Sequence, residues 1–346
     1  MAEDPAVSVV VCTHNGARLL PRALGALGRQ VQPAGGYEVI VVDDRSTDGS
    51  GEIAAASGAR VVRLTDDGGL AAARNAGIRA ASGGIIAFTD DDCEPDAGWL
   101  SALLAPFADP GVSGTAGCTV PSSADDVVLR YLARRNPLAP LPSALLESRS
   151  PLFRLWHYLR TGLGPTPALP SGSELYSVAG ANMAFRRELL DAIGGFDPRI
   201  SFGGEEEDLC RRAHERAHER PGGARFVYVP AALVHHHYRP GLRDTLRRAR
   251  AYGRGNARQT MSTAGAWPIV YPFPLVIGVP LITALLTRRR YLPLITLLPP
   301  LLYPGWLIDS VRRGDPEALF YAYIQVAQEG ATMVGEAQHF LGLDRR

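Results

Sequence analysis

An apolar run, Ile85-Ile86-Ala87-Phe88, passes through Thr89 into three consecutive carboxylates, Asp90, Asp91 and Asp92. Acids placed this closely raise one another's pKa unless a positive charge neutralises them. A divalent cation bound to a phosphorylated substrate is the natural partner, and carboxylate oxygens suit magnesium or manganese. Taken alone, the triplet reads first as a solvated acidic turn. Two more polar clusters follow short apolar runs: Thr13-His14-Asn15 after 7–11, and Asp43-Asp44-Arg45-Ser46 after 37–42.

Such residues do chemistry only if the chain brings them to one place. The runs at 7–11, 37–42, 60–64 and 84–89 are short and rich in β-branched residues, which predicts strands. Helical stretches at 19–28 and 71–81 separate them. Alternation of this kind implies an α/β fold with a mostly parallel sheet flanked by helices, whose ligands sit outside the carboxyl ends of the strands. All three polar clusters fall at such ends.

The chain has 346 residues and an apolar fraction of 46%, enough for one large domain or two small ones. Its 36 basic residues, all arginine, balance 35 acids, so no basic field points to nucleic acid. Cys12, Cys93, Cys118 and Cys210 form no CxxC pair, which argues for a reducing compartment over a zinc site or a disulfide framework. The acidic start, Met1-Ala2-Glu3-Asp4-Pro5, is unlike a secretory signal, so the catalytic part is expected in the cytoplasm.

Residues 121–173 are rich in proline, serine and arginine without a clear period, and read as a variable insertion. A second ordered block covers 176–238. Arginines at 243, 247, 248, 250, 254 and 258 then follow a helical pattern, either a solvated face or a basic lead into membrane-like sequence. Residues 267–286 are 20 positions without a charge and 291–308 another 18, each near bilayer length. Prolines at 268, 272, 274, 280, 293, 299, 300 and 304 disfavour straight spans. Arg288-Arg289-Arg290 would lie outside if both segments crossed, against the positive-inside tendency. A re-entrant or interfacial hairpin fits better; a soluble apolar subdomain or dimer interface is the alternative. Residues 316–343 read as amphipathic helix.

Val7-Ser8-Val9-Val10-Val11-Cys12-Thr13-His14-Asn15-Gly16, Val41-Val42-Asp43-Asp44-Arg45-Ser46, Ala73-Arg74-Asn75-Ala76-Gly77 and the aspartate triplet, in this order, resemble the family 2 inverting glycosyltransferases. Gly180-Ala181-Asn182-Met183-Ala184-Phe185-Arg186, Gly194-Gly195-Phe196-Asp197 and Gly204-Glu205-Glu206-Glu207-Asp208-Leu209 are similar to that family's acceptor-side half. The resemblance covers residues 6–240. It implies a GT-A, Rossmann-like domain at 1–240, with a nucleotide-binding half at about 1–120, the insertion at 121–173 and an acceptor half at 174–240. The remainder, 241–346, is expected as a helical, membrane-associating region with an apolar hairpin at 267–308.

The resemblance also implies roles. Cys12, Thr13, His14 and Asn15 would line the nucleoside, Asp44 would accept from the base or ribose, and Arg74, beside Asn75, would hold the pyrophosphate. Asp90 and Asp92 match the outer positions of the carboxylate motif and Asp91 the middle one. Asp92 is expected on the metal, Mn2+ or Mg2+, with Asp90 nearer the ribose or a bound water. In His235-His236-His237, strand alternation sends His236 to the opposite face from its neighbours, and His236 is favoured as the site histidine. Inversion requires a base on the face opposite the leaving diphosphate. Position transfers that role to Glu206, where the family usually has aspartate; Glu205 is the rival. Asp208 is expected to orient the acceptor or cap its helix, and the crowding of four acids to raise at least one pKa.

The expected activity is transfer of one sugar from a nucleotide sugar, a uridine diphosphate sugar by preference, to a lipid-linked or small-molecule acceptor. Its expected place is the cytoplasmic face of the plasma membrane, in envelope polysaccharide, glycolipid or other glycoconjugate synthesis. The alternatives are a polyprenyl-phosphate sugar synthase and a nucleotide-sugar-binding subunit without catalysis.

Overall fold

The computed structural model describes residues 6–343 apart from 67, 147, 149, 201–202, 218–223 and 263–269. The acidic start at 1–5 and the first residues of the apolar hairpin, 267–269, lie outside the described residues. The strands are β1 (Val7–Thr13), β2 (Tyr37–Asp43), β3 (Arg60–Arg63), β4 (Ile85–Asp90), β5 (Cys93–Pro95), β6 (Val112–Pro121), β7 (Leu141–Pro142), β8 (Leu175–Ser177), β9 (Asn182–Arg186) and β10 (Arg225–His236). The helices are α1 (Leu20–Leu27), α2 (Ser50–Ala56), α3 (Gly69–Ala80), α4 (Trp99–Leu104), α5 (Val127–Arg134), α6 (Pro151–Thr161), α7 (Arg187–Ile193) and α8 (Glu205–Ala217), then α9 (Leu242–Ser262), α10 (Pro272–Thr287), α11 (Leu292–Thr296), α12 (Leu298–Leu302), α13 (Pro304–Arg313) and α14 (Ala318–Phe340).

Contacts divide the chain into two compact units. One comprises Met1–Ser122, Leu138–Leu146 and Leu169–Tyr238; the other comprises Ser123–Pro137, Glu147–Ala168 and Arg239–Arg346. The 121–173 stretch, expected as a single insertion, is therefore shared: Leu138–Leu146 goes with the sheet, α5 and α6 with the C-terminal helices. It shows no regular period because two helices, a short strand and irregular links alternate within it.

In the first unit an eight-stranded sheet runs in the order β3-β2-β1-β4-β9-β6-β10-β5. β1 is parallel to β2 and β4, β2 to β3, and β6 to β10. β9 is antiparallel to β4 and β6, and β5 to β10. The mostly parallel sheet expected from the sequence thus holds from β1 to β4 and becomes mixed beyond. A parallel neighbour needs a helical crossover, whereas β9 is reached through the insertion and enters from the opposite end.

Alternation along each strand builds two cores. Val7, Val9 and Val11 of β1 pack with Leu20, Leu24 and Leu27 of α1 and Trp99, Leu100 and Leu103 of α4. Val10 of β1 and Ile86 and Phe88 of β4 face the other way, toward Ala73 and Ala76 of α3 and Leu209 of α8. Buried Asn182 ties strands together: it donates to the carbonyls of Cys118 and Ala232 at 2.9 and 2.8 Å and accepts from Trp99 Nε1 at 2.8 Å.

The helical unit rests on a close pairing of α9 with α14. A Cβ on Gly253 would stand 2.0 Å from the Thr332 carbonyl oxygen, and one on Gly335 would stand 2.0 Å from that of Arg250, so glycine on both helices permits the approach. One stripe of α14, Gln325, Glu329, Thr332 and Glu336, is polar and buried. On α5, the Asp126 carboxylate caps the first turn through Val128 and Leu129 N–H, and Tyr131 packs on Trp306 and Tyr321. No described helix is long and apolar enough to cross a membrane alone; Arg289–Leu302 and Pro304–Arg313 together reach that length but are bent by 73° at their junction.

Candidate active site

The parallel register places Cys12 beside Asp90 and Thr13 beside Asp43, so the three polar clusters emerge together at the carboxyl ends of β1, β2 and β4. Thr13 Oγ1 donates to Asp91 Oδ2 at 2.6 Å, and Asp44 N–H donates to the Thr13 carbonyl at 2.9 Å. His14 Nδ1 lies 2.6 Å from the Asp44 carbonyl oxygen. Asn15, at φ +55°, receives the Thr47 N–H on its side-chain oxygen at 2.9 Å and so braces the β2 turn. The same turn is capped from within, by Asp43 on Ser46 N–H and by Asp48 on Ser50 N–H. Cys12, Thr13, His14, Asn15 and Asp44 thus form one rim, with Asn15 acting as a brace within it. Burial pushes the Cys12 thiol up to about 12, which keeps it neutral.

Alternation also orients the aspartates. Asp90 continues the face of Ile86 and Phe88, the α3 and α8 face, and its Oδ1 lies 3.8 Å from Arg74 Nη2. Antiparallel pairing sets His236 opposite Cys93, and His236 Nε2 comes within 3.5 Å of Asp92 Oδ1. Asp90, Asp92, Cys93 and His236 each offer a donor atom, all within 4.8 Å of one another. Two carboxylates and an imidazole fit manganese or magnesium, while the thiol adds a softer donor. Burial raises Asp90 and takes Asp91 to about 7, with Asp92 adding to both and the Thr13 hydroxyl working against the rise at Asp91. Flanking His235 pairs with Asp96 at 3.0 Å and His237 pairs with Glu94, so only His236 of the three joins the aspartates.

Arg74 departs from its expected position. It is 2% exposed, and Nη1 donates to Glu206 Oε1 at 2.9 Å and to Glu205 Oε1 at 3.2 Å. Burial works against its charge, and the carboxylates of Glu206, Glu205 and Asp90 outweigh it. Its ring neighbour is Phe196, 5.3 Å from the guanidinium carbon. A guanidinium engaged in this way is the counter-ion of the acid pair. Gly180 closes the cluster: a Cβ there would lie 1.9 Å from Glu206 Oε1 and 2.3 Å from Arg74 Nη2. The crowding expected among the acids is felt at Glu205, taken to about 7 by burial first and by Glu206 second.

Two expected site residues point elsewhere. Asn75 donates to the Phe196 carbonyl at 2.7 Å and accepts from Phe196 N–H at 2.8 Å, so both halves of its amide hold the 195–196 loop instead of a donor. Asp208 lies inside α8, where Arg211 and Arg212 donate to its two oxygens at 2.7 Å each. Arg212 in turn donates to the Ile193 and Gly195 carbonyls, which makes Asp208 a fastener of α8 to the end of α7 instead of an acceptor ligand. Sequence reasoning missed Cys93, whose only local signal is adjacency to Asp92, and Gly180, whose need for glycine appears only when Arg74 and Glu206 meet.

Residues 8–194 match glycosyl transferase family 2, and residues 148–309 match glycosyl transferase family group 2. The chain belongs to glycosyl transferase family 2. It is 33% identical over 253 residues to the pre-mycofactocin glycosyltransferase of Mycobacterium tuberculosis, covering 71% of this chain but 46% of that protein, so it spans less than half the length of that relative. It is 42% identical over 202 residues to an uncharacterized glycosyltransferase of Mycobacterium bovis, covering 58% of this chain and 77% of that one. The mannosyltransferase PcManGT of Pyrobaculum calidifontis, solved in complex with GDP-Man and Mn2+, superposes with a TM-score of 0.57 at 21% identity, over 98% of this chain and 88% of that one. That likeness shows the fold, the mixed α/β GT-A type.

Proposed function

We propose that this protein is a metal-dependent inverting glycosyltransferase that moves one sugar from a nucleotide sugar, a uridine diphosphate sugar by preference, to an acceptor hydroxyl. The observation that carries the reading is a convergence at one sheet rim: Asp90, Asp92 and His236 form a cation-fitting cluster, and Arg74 links Asp90 to the acid pair of Glu205 and Glu206. The rim of Cys12, Thr13, His14 and Asp44 would receive the nucleoside. Asp92, Asp90 and His236 would hold Mn2+ or Mg2+, which supplies charge neutralisation to a departing nucleoside diphosphate. Glu206, whose side chain is 16% exposed against 3% for that of Glu205, is the member of the pair open enough to take the acceptor proton, and Arg74 fixes its direction. The acceptor, lipid-linked or small, would be met at the cytoplasmic face of the plasma membrane, a reading that the exposed apolar helices of the other unit support.

A thermal-shift panel of nucleotide sugars with and without manganese tests this reading. Stabilisation is expected with one uridine sugar and manganese together, and is lost in Asp92→Ala. Glu206→Gln should cut transfer by roughly 100-fold or more, the scale of general-base catalysis; near-full activity would favour transfer to a polyprenyl phosphate, which needs no base. Absence of any donor-dependent shift would leave a protein without this activity.

A further inference from the structure

We infer that α10 to α13 lie flat on an anionic lipid surface, as a bend gripped from within the helical unit, and do not cross the bilayer. The occupant follows the membrane reading above; the geometry has separate support. Leu286, Leu301, Leu294 and Val279 are 81, 68, 63 and 62% exposed, a concentration of bare apolar side chains. Charge is uneven there: α10 to α13 carry Arg288, Arg289, Arg290, Arg312 and Arg313, all exposed, against the one acid Asp309. A surface both apolar and cationic is complementary to anionic headgroups above acyl chains.

The turn between α10 and α11 decides the orientation. It holds Arg288, Arg289 and Arg290, all exposed, with Arg290 stacked on Tyr291 at 4.9 Å. Tip-first insertion would carry three guanidiniums toward the bilayer centre, where charge is costly. Flat placement leaves them among phosphates and buries the leucines beside them. α10 has 16 residues, about 24 Å of helix against roughly 30 Å of hydrocarbon, so it falls short of a crossing.

The break at Tyr303 keeps the remaining apolar pair from straightening. Tyr303 Oη donates to Glu329 Oε2 at 2.6 Å, Trp306 Nε1 donates to Gln325 Oε1 at 2.7 Å, and Gly305 N–H donates to the Leu163 carbonyl at 3.0 Å. Tyr303, Trp306 and Gln325 are fully buried and Glu329 nearly so. Unbending the 73° junction would leave these groups without partners in an apolar surrounding.

The test uses the full chain with phosphatidylcholine vesicles, with or without phosphatidylglycerol, and sedimentation. Binding is expected only with the anionic lipid, weakening with salt, and falling about a hundredfold when Arg288, Arg289 and Arg290 are all changed to Gln. In sealed membrane vesicles with the cytoplasmic face outward, from cells expressing the chain, Arg289→Cys should react with an impermeant maleimide above the level of the unsubstituted chain. Labelling only after permeabilisation means a crossing and overturns the inference. So does equal binding to neutral vesicles, or a dimer by light scattering with no vesicle binding, which would assign the face to a second copy. Donor-dependent stabilisation is measured without lipid, so failure of either reading leaves the other standing.

Discussion

Glu205 in the sheet unit and Glu329 in the helical unit are both nearly sealed from water, at 2 and 4% exposure, yet their surroundings differ in kind. Glu329 is fully served: Oε2 accepts from Tyr158 at 2.8 Å and Tyr303 at 2.6 Å, and Oε1 from Gln325 at 2.7 Å, with Arg135 at 3.5 Å. Glu205 has Arg74 on one oxygen and, among the described residues, no hydrogen-bond partner on the other, with a second carboxylate adjacent. A buried acceptor without a partner costs roughly 1–3 kcal/mol. A site built to meet a ligand can retain such a cost. On the function proposed above, the first acid belongs to the reaction centre, whereas the second is a structural knot.

The largest effect expected is at Arg74, which pairs with both acids. Arg74→Ala strands Glu205 and Glu206 and should lower stability by about 3–5 kcal/mol, read from urea unfolding. If the loss is far smaller, the acids are not held by their counter-ion and the contrast fails. A pH effect comes next. Glu205 has its pKa raised from 4.5 to about 7, so the folded state binds the extra proton between those values. Stability should therefore fall as pH rises from about 4.5 to about 7 and level off above, by up to about 3 kcal/mol. Glu205→Gln should flatten that slope, and an unchanged slope would show that Glu205 titrates normally.

Glu329→Ala should cost about 2–3 kcal/mol by orphaning Tyr158, Tyr303 and Gln325, while leaving donor-dependent thermal shifts of the sheet unit intact. A loss of those shifts would mean the knot is not merely structural. The smallest stability effect is at Gly180, where flexible side-chain ends can move aside for a methyl group. Gly180→Ala should cost only about 1 kcal/mol yet displace Glu206 and reduce transfer out of proportion, so activity and melting measured together separate site from scaffold.

Much of the sheet was legible because its signals are local. Short β-branched runs ending in polar residues located β1 to β4 and their carboxyl ends, and the order of the motifs around Asp44, Arg74, Asp92 and Glu206 carried the resemblance to the family. Strand alternation set His236 apart from His235 and His237, and in the structure His236 approaches Asp92 while its neighbours pair with Asp96 and Glu94. The direction of β9, the split of 121–173 between the units and the partners of Arg74, Asn75 and Asp208 were not legible, since none leaves a periodic trace.

The amino-acid sequence by itself determined which residue types stand at the strand ends, because backbone pleat and helical pitch impose repeats a few positions long. Only the tertiary structure decided which charges neutralise which: Arg74 and Glu205 are 131 positions apart, and His236 reaches Asp92 through an antiparallel pairing of β5 with β10. Electrostatic pairing depends on distance in space and on exclusion of water, and both exist only once the two faces of the sheet have closed.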